Sequence, residues 1–223
     1  MGTAGHHLDL VPDFSVVLGA DYAGKSSVLS MLAGRSWRCV SYDESLLPAG
    51  HNLINELRDG VTPAALRLVG SVYSRDFALT VLQTAVVYLR DQVLRAQPGD
   101  IVVVDSFYYK ILAKCRLTGL VNEDLFRWWR SFPQPSEIVY LDVDPSVAWS
   151  RSGDGLRLNR FEHYGDEPTW RGFRRFQLDL RDVMFEEIHG IRTTVLEQQP
   201  DIAATAAAVK AVMRTREDTI GVG

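Results

Sequence analysis

Residues 14–27, which read FSVVLGADYAGKSS, constrain the fold of this chain more than any other stretch. An apolar run with strand character enters a loop of the form G-x-x-x-x-G-K-S, and residues 28–33 after it read as helix. Gly19 and Gly24 let such a loop wind tightly, so that successive backbone N–H groups point inward as an anion cradle. The helix that begins near Lys25 adds its positive end and its unsatisfied N–H groups. Lys25 can reach the β- and γ-phosphates of a nucleoside triphosphate, and the Ser26 hydroxyl suits a ligand position on Mg²⁺. A strand before the loop and a helix after it are the context that separates a phosphate loop from a chance match.

One such motif in 223 residues favours a single α/β domain over the whole chain, and 46% hydrophobic residues supply an ample core. The net charge of −4 gives no overall basic field, which argues against nucleic acid as the main partner. Cys39 and Cys115 are too few for a disulfide framework, and both lie in apolar surroundings. They read as buried free thiols of a reducing compartment. Residues 1–10 lack a basic region followed by an apolar one, so no secretory signal is read there. Residues 1–11 are expected to be a flexible end, and His6-His7 within them is no metal site. The longest uncharged apolar stretch, residues 77–89, is too short to span a bilayer and reads as a buried helix. The expectation is a soluble, cytoplasmic protein with no membrane partner.

Along the chain, strand and helix alternate. Strands are expected at residues 14–19, 37–42, 101–105, 138–142 and 192–196. The third and fourth are short apolar runs closed by Asp105 and Asp142, as in parallel strands covered on both faces. Thr62-Pro63 fits a helix N-cap followed by proline in the first turn, with helix to about residue 96 and a break near Gly70-Ser71. Asp144-Pro145 reads as a second cap. Residues 151–166, rich in glycine and charge, form a mobile lid loop. Residues 169–188 read as a helix whose aromatics are core, and residues 202–213 as a last amphipathic helix. The fold class is therefore α/β, a P-loop NTPase fold with a doubly wound parallel sheet of about five strands and helices on both faces. Ligands of such sheets bind beyond the C-terminal strand ends, where Gly19, Asp43, Asp105 and Asp142 should converge.

Asp105 stands where phosphate-loop proteins place an acid to hold Mg²⁺, directly or through water. Asp43, with Glu44 ranked after it, is the candidate general base for an acceptor hydroxyl at the end of the second strand. Arg151, Arg157 and Arg160 lie on the lid. Phosphoryl transfer needs positive charge on the transferred group, which arginine's planar fork supplies.

These motifs resemble those of the thymidylate kinase family. The loop GADYAGKS at 19–26 is similar to that family's G-x-D-x-x-G-K-[ST], and LDVDPSVA at 141–148 resembles its strand-to-helix signature before the lid. LRLNRFE at 156–162 resembles the lid segment, with Asn159 where aspartate is usual, and LEQQP at 196–200 falls where the adenine-contacting loop lies. The resemblance implies a kinase using ATP and Mg²⁺. It assigns Gly19, Asp21, Tyr22, Ala23, Gly24, Lys25, Ser26, Ser27, Arg151 and Gln199 to the nucleotide and Ser26 with Asp105 to the metal. It places Arg151 and Arg160 at the transition state. It also implies a homodimer through the long helices, although the same apolar surface would serve equally as internal core.

The departures concern the acceptor. Where the family has Asp-Arg-Tyr after the third strand, this chain has Asp105-Ser106-Phe107. The second arginine expected for an acceptor phosphate falls on Thr84, with Arg75 and Arg90 out of register. Two lost phosphate contacts fit a neutral hydroxyl acceptor better than a nucleoside monophosphate. Tyr42, Phe107, Tyr108 and Tyr109 either stack on a ligand or pack. The leading expectation is an ATP- and Mg²⁺-dependent kinase of a nucleoside, nucleotide or related small molecule. The alternatives are a kinase of an antibiotic or biosynthetic intermediate, or a non-catalytic nucleotide-binding switch. An Asn/Thr-Lys-x-Asp segment, the mark of guanine-specific switches, is absent.

Overall fold

The computed structural model describes residues 12–34 and 36–220, with side chains as far as residue 214. The expectations for residues 1–11, His6-His7 included, lie outside the described residues. Five strands form one parallel sheet: β1 (Phe14–Gly19), β2 (Trp37–Val40), β3 (Ile101–Asp105), β4 (Glu137–Asp142) and β5 (Thr193–Glu197). Their spatial order is β2-β3-β1-β4-β5, which puts β1 at the centre.

The short apolar runs become strands because each face of the sheet is covered. Val16 and Leu18 of β1, Val102 and Val104 of β3, and Ile138 and Tyr140 of β4 point into one core. The intervening Val17, Val103, Val139 and Leu141 point into the other, as the two-residue period of a strand requires. The first core is closed by α4 (Arg75–Leu94), α5 (Tyr109–Leu117), α6 (Glu123–Arg130) and α8 (Trp170–Glu187), the second by α1 (Lys25–Leu32) and α9 (Ile202–Ile220). Asp144 caps α7 (Pro145–Arg151) through the Ser146 amide at 2.7 Å, as its sequence announces.

Two readings are corrected. Thr62-Pro63 does not start a helix. The chain is already helical from α2 (Asn52–Glu56) through a wide π-turn at Leu57–Val61, and α3 (Thr62–Arg67) continues it. Pro63 has no N–H to donate and its ring crowds the preceding turn, and the wide turn before it accommodates both. Residues 77–89 are only half buried, because α4 shows Phe77 to solvent while Ala78, Leu79, Val86 and Leu89 face the core. Cys115 is buried, Cys39 half-buried, and both are free thiols, pushed up to about 12 by burial.

Backbone constraint concentrates where β1 ends. Gly19 has φ +154°, and a Cβ there would sit 2.8 Å from the Leu141 carbonyl oxygen of neighbouring β4. Gly60 has open space around it within a helical turn. Gly19→Ala is therefore expected to destabilise the fold by about 1–3 kcal/mol, while Gly60→Ala stabilises it by up to about 1 kcal/mol. Thermal melting of the two variants beside wild type checks both signs.

Candidate active site

The loop after β1 is held by its own backbone. Tyr22 and Gly24 take left-handed φ values of 58° and 90°. Gly24 caps α1 without a side-chain bond, and the first turn of α1 has no acidic residue of its own, so its positive end faces the loop. Lys25 is buried and curls back to donate to the carbonyls of Gly19 at 2.9 Å and Ala20 at 2.8 Å. Burial, and then the nearby charge of Lys110, push its ammonium down to about 7. Ala23 packs into the core beneath the loop, Ser27 is exposed, and Ser26 lies between.

Three of the expected strand-end groups meet beside this loop. Asp105 accepts from Ser41 Oγ at 3.1 Å and from Ser106 Oγ at 2.8 Å, within reach of the Lys25 charge. Asp43 caps the 3₁₀ turn Glu44–Leu46, accepting from Ser45 N at 3.1 Å and Ser45 Oγ at 2.7 Å. Although its partial burial works against ionisation, those hydrogen bonds hold its carboxyl below the ordinary value. Asp142 faces elsewhere, paired with Arg181 of α8 at 3.2 Å. Among the described residues no three His, Cys, Asp or Glu side chains form a metal cage.

An ion cluster that the sequence reading missed lies between the loop and the lid. Asp21 is buried and paired with Lys110 at 2.5 Å and Lys114 at 2.9 Å, both from α5. Gln177 of α8 grips it twice, donating to its carboxylate at 3.1 Å and accepting from its backbone N–H at 3.0 Å. Lys114 also meets Glu162 of the lid at 3.6 Å. Burial opposes the charge on Asp21, but the two lysines outweigh it and hold the carboxyl far below 3.8. The available signal was the spacing of Lys110 and Lys114, four apart and so on one helix face, directly after the strand-end acid.

The lid residues divide between two places. Arg151, the last residue of α7, donates to the Tyr22 carbonyl at 3.2 Å, on the phosphate loop. Arg157 folds its guanidinium onto the Arg151 carbonyl, and its own carbonyl accepts from Tyr22 Oη at 2.8 Å. Gly155, at φ +93°, lies flat on Trp149, where a Cβ would come 2.6 Å from the ring. Arg160 points the other way, into a cavity of about 510 Å³ between α2–α3, α4, α5 and the lid. Arg58, Arg67, Lys114 and Thr84 also line that cavity. Thr84 thus stands where an acceptor arginine was sought, but its hydroxyl is bonded to the Val81 carbonyl of its own helix at 2.6 Å. Arg90 stacks over Phe132 instead. Tyr42 lines the cavity, whereas Phe107, Tyr108 and Tyr109 are buried core. Gln199 precedes α9, whose first residue, Ile202, packs 3.3 Å from where a Cβ on Gly24 would be.

Removing the Asp21 charge takes from Lys110 the ion pair that holds it and leaves Lys114 with Glu162 at 3.6 Å. Asp21→Asn is expected to cost about 3–5 kcal/mol at pH 7. The folded carboxyl binds a proton more weakly than the unfolded one, so its contribution is full above about pH 5 and is lost as pH falls through 3.8 and below. Urea midpoints at pH 7 and pH 3 should show the gap between wild type and Asp21→Asn narrowing at the lower pH.

No family model matches the chain, and no curated protein matches its sequence. Solved structures do match. The chain is similar to thymidylate kinase from Candida albicans at 17% identity and a TM-score of 0.59, covering 92% of each chain. It is similar to thymidylate kinase from Ehrlichia chaffeensis at 15% identity and a TM-score of 0.53, covering 92% of this chain and 100% of the other. No helix among the described residues is long and apolar enough to cross a membrane. The fold is a thymidylate kinase-like one, an α/β P-loop fold with a five-stranded parallel sheet.

Proposed function

We propose that this chain is a phosphotransferase that moves the terminal phosphoryl group of ATP to a small molecule bound in the cavity beneath the lid. One observation carries the reading: the phosphate loop and the cavity are joined by a single buried cluster, Asp21 with Lys110 and Lys114, so two binding places share one set of charges. The loop amides, the start of α1 and Lys25 hold the triphosphate, and Arg151 lies against the same loop. Ile202, at the start of α9, packs against the loop at Gly24, and Gln199, just before it, is the residue we assign to the adenine.

Mg²⁺, when bound, supplies charge neutralisation on the β- and γ-phosphates. Ser26 and Asp105 would hold it. Asp43, whose carboxyl the Ser45 hydrogen bonds hold below its ordinary value, does not line the cavity, and we assign it to the metal side with them in place of the general-base role expected from sequence. Lys110 lies close to Lys25, Asp105 and Tyr42. It brings positive charge to the space where Ser106 has replaced an arginine. Arg160 meets the acceptor, and Tyr22, Glu162 and Gln177 fasten the lid over both. A closed lid keeps water from competing with the acceptor.

The test is phosphate transfer from ATP with Mg²⁺ to a panel of small phosphate monoesters and alcohols. Turnover should fall by about 10²–10³-fold in Lys25→Ala. Arg151→Gln should act on the nucleotide and on kcat, while Arg160→Gln raises KM for the acceptor. Binding of ATP with no transfer to any acceptor would contradict the reading and favour a nucleotide-dependent binding protein.

A further inference from the structure

The cavity beneath the lid has a wall of unusual chemistry. Its body is aliphatic and aromatic, with Ile54, Leu57, Leu66, Leu82, Ile111 and Phe161 among its lining residues. Its charged groups are all cations: Arg58, Arg67, Lys114 and Arg160. Two of these are already matched, Arg58 by Asp59 and Glu44, and Lys114 by Asp21 and Glu162. Arg67 and Arg160 form no ion pair among the described residues.

Hydrogen-bond acceptors on the wall are scarce. No Asp, Glu or Gln lines it. The Thr84 hydroxyl is spent on Val81, and the Asn159 side-chain oxygen accepts from the Phe161 amide at 2.8 Å, which leaves the hydroxyls of Tyr42 and Thr62 as the side-chain acceptors of the wall. Arginine and lysine donate and never accept. A nucleobase presents N–H donors as well as acceptors, and its donors would be stripped of water there with few partners, which costs binding. An anion on an apolar body has no donor to satisfy. A hydroxyl nucleophile, by contrast, would find no carboxylate base on these walls.

We infer that the acceptor is a phosphate monoester of an apolar alcohol, its body in the aliphatic part of the cavity and its phosphate met by Arg67 and Arg160. This deepens the phosphotransferase reading and rests on it. An oxygen of the monoester dianion attacks the γ-phosphorus of ATP, and a new P–O–P linkage forms. The bond from that phosphorus to the β,γ-bridging oxygen breaks, and ADP leaves with the electron pair. No proton has to be removed from the nucleophile, so the site needs cations more than it needs a base. The reversal from the neutral acceptor expected on sequence comes from Arg67, which reaches the cavity from α3 and joins Arg160 of the lid there.

The experiment measures binding by calorimetry without nucleotide, and then transfer from ATP with Mg²⁺. Three probes are used: 2-naphthylmethyl phosphate, 2-naphthylmethanol and thymidine monophosphate. The expected result is that the apolar monoester binds at least ten-fold tighter than either of the others and is converted to its diphosphate. Arg67→Gln and Arg160→Gln, both at exposed positions, should each weaken it ten-fold or more. Tighter binding of thymidine monophosphate overturns the apolar body. Equal binding of monoester and alcohol, or an affinity indifferent to both arginine variants, overturns the anionic head. The two readings fail separately. Monoester binding as expected, with no transfer from ATP, upholds the ligand class and overturns the phosphotransferase. Transfer to other acceptors with no binding of the monoester does the reverse.

Discussion

Three lysine ammonium groups crowd the space above β1 and β3, and the buried carboxylate of Asp21 is what lets two of them stay there. Lys110 and Lys114 come from α5, Asp21 from the phosphate loop, Gln177 from α8 and Glu162 from the lid, so four segments meet at one charge. A buried ion pair contributes little net stability compared with apolar packing, yet it is costly to break. The cluster is therefore better understood as a device for position than as a source of stability. It fixes the loop, the lid and the first helix after β3 in one register, and it keeps positive charge where a polyanion would need it.

The price of that arrangement is visible in Lys25, whose ammonium is pushed down to about 7 by its own burial and by Lys110. A bound triphosphate would relieve the repulsion, which is the sense in which the site is electrostatically prepared. The arginines follow the same division. Arg151 belongs to the phosphate loop, Arg160 to the cavity, and Arg157 ties the segment between them to Arg151 and Tyr22. The lid is thus a strap between two sites, not a row of equivalent charges.

The sheet and the phosphate loop were legible in the sequence because their signals are local. Residues 101–105 and 138–142 are apolar runs closed by an acid, and burial on both faces demands that pattern. The cap at Asp144 was legible for the same reason. Thr62-Pro63 misled because a proline in a first turn looks the same whether the chain arrives extended or from a wide turn. Tyr108 and Tyr109 left two readings open that only packing could separate, since both hydroxyls end on the Gln134 side-chain oxygen. The cation set was the largest omission. The spacing of Lys110 and Lys114 marks a shared helix face but not what that face meets, and Arg58 and Arg67 lie far in sequence from Asp21 and from the lid with no local pattern to join them.

If this cluster is complementary to a phosphoryl group in transfer, the affinity for ADP with aluminium fluoride and Mg²⁺ will show it. A site built for the transition state should bind that planar mimic at least about 10²-fold more tightly than ADP alone. The same measurement on Lys110→Met should erase most of the difference while leaving ADP affinity in place. Equal affinity for the mimic and for ADP in wild type, or full retention of the mimic by Lys110→Met, would mean that the cluster is not built around a phosphoryl group in transfer.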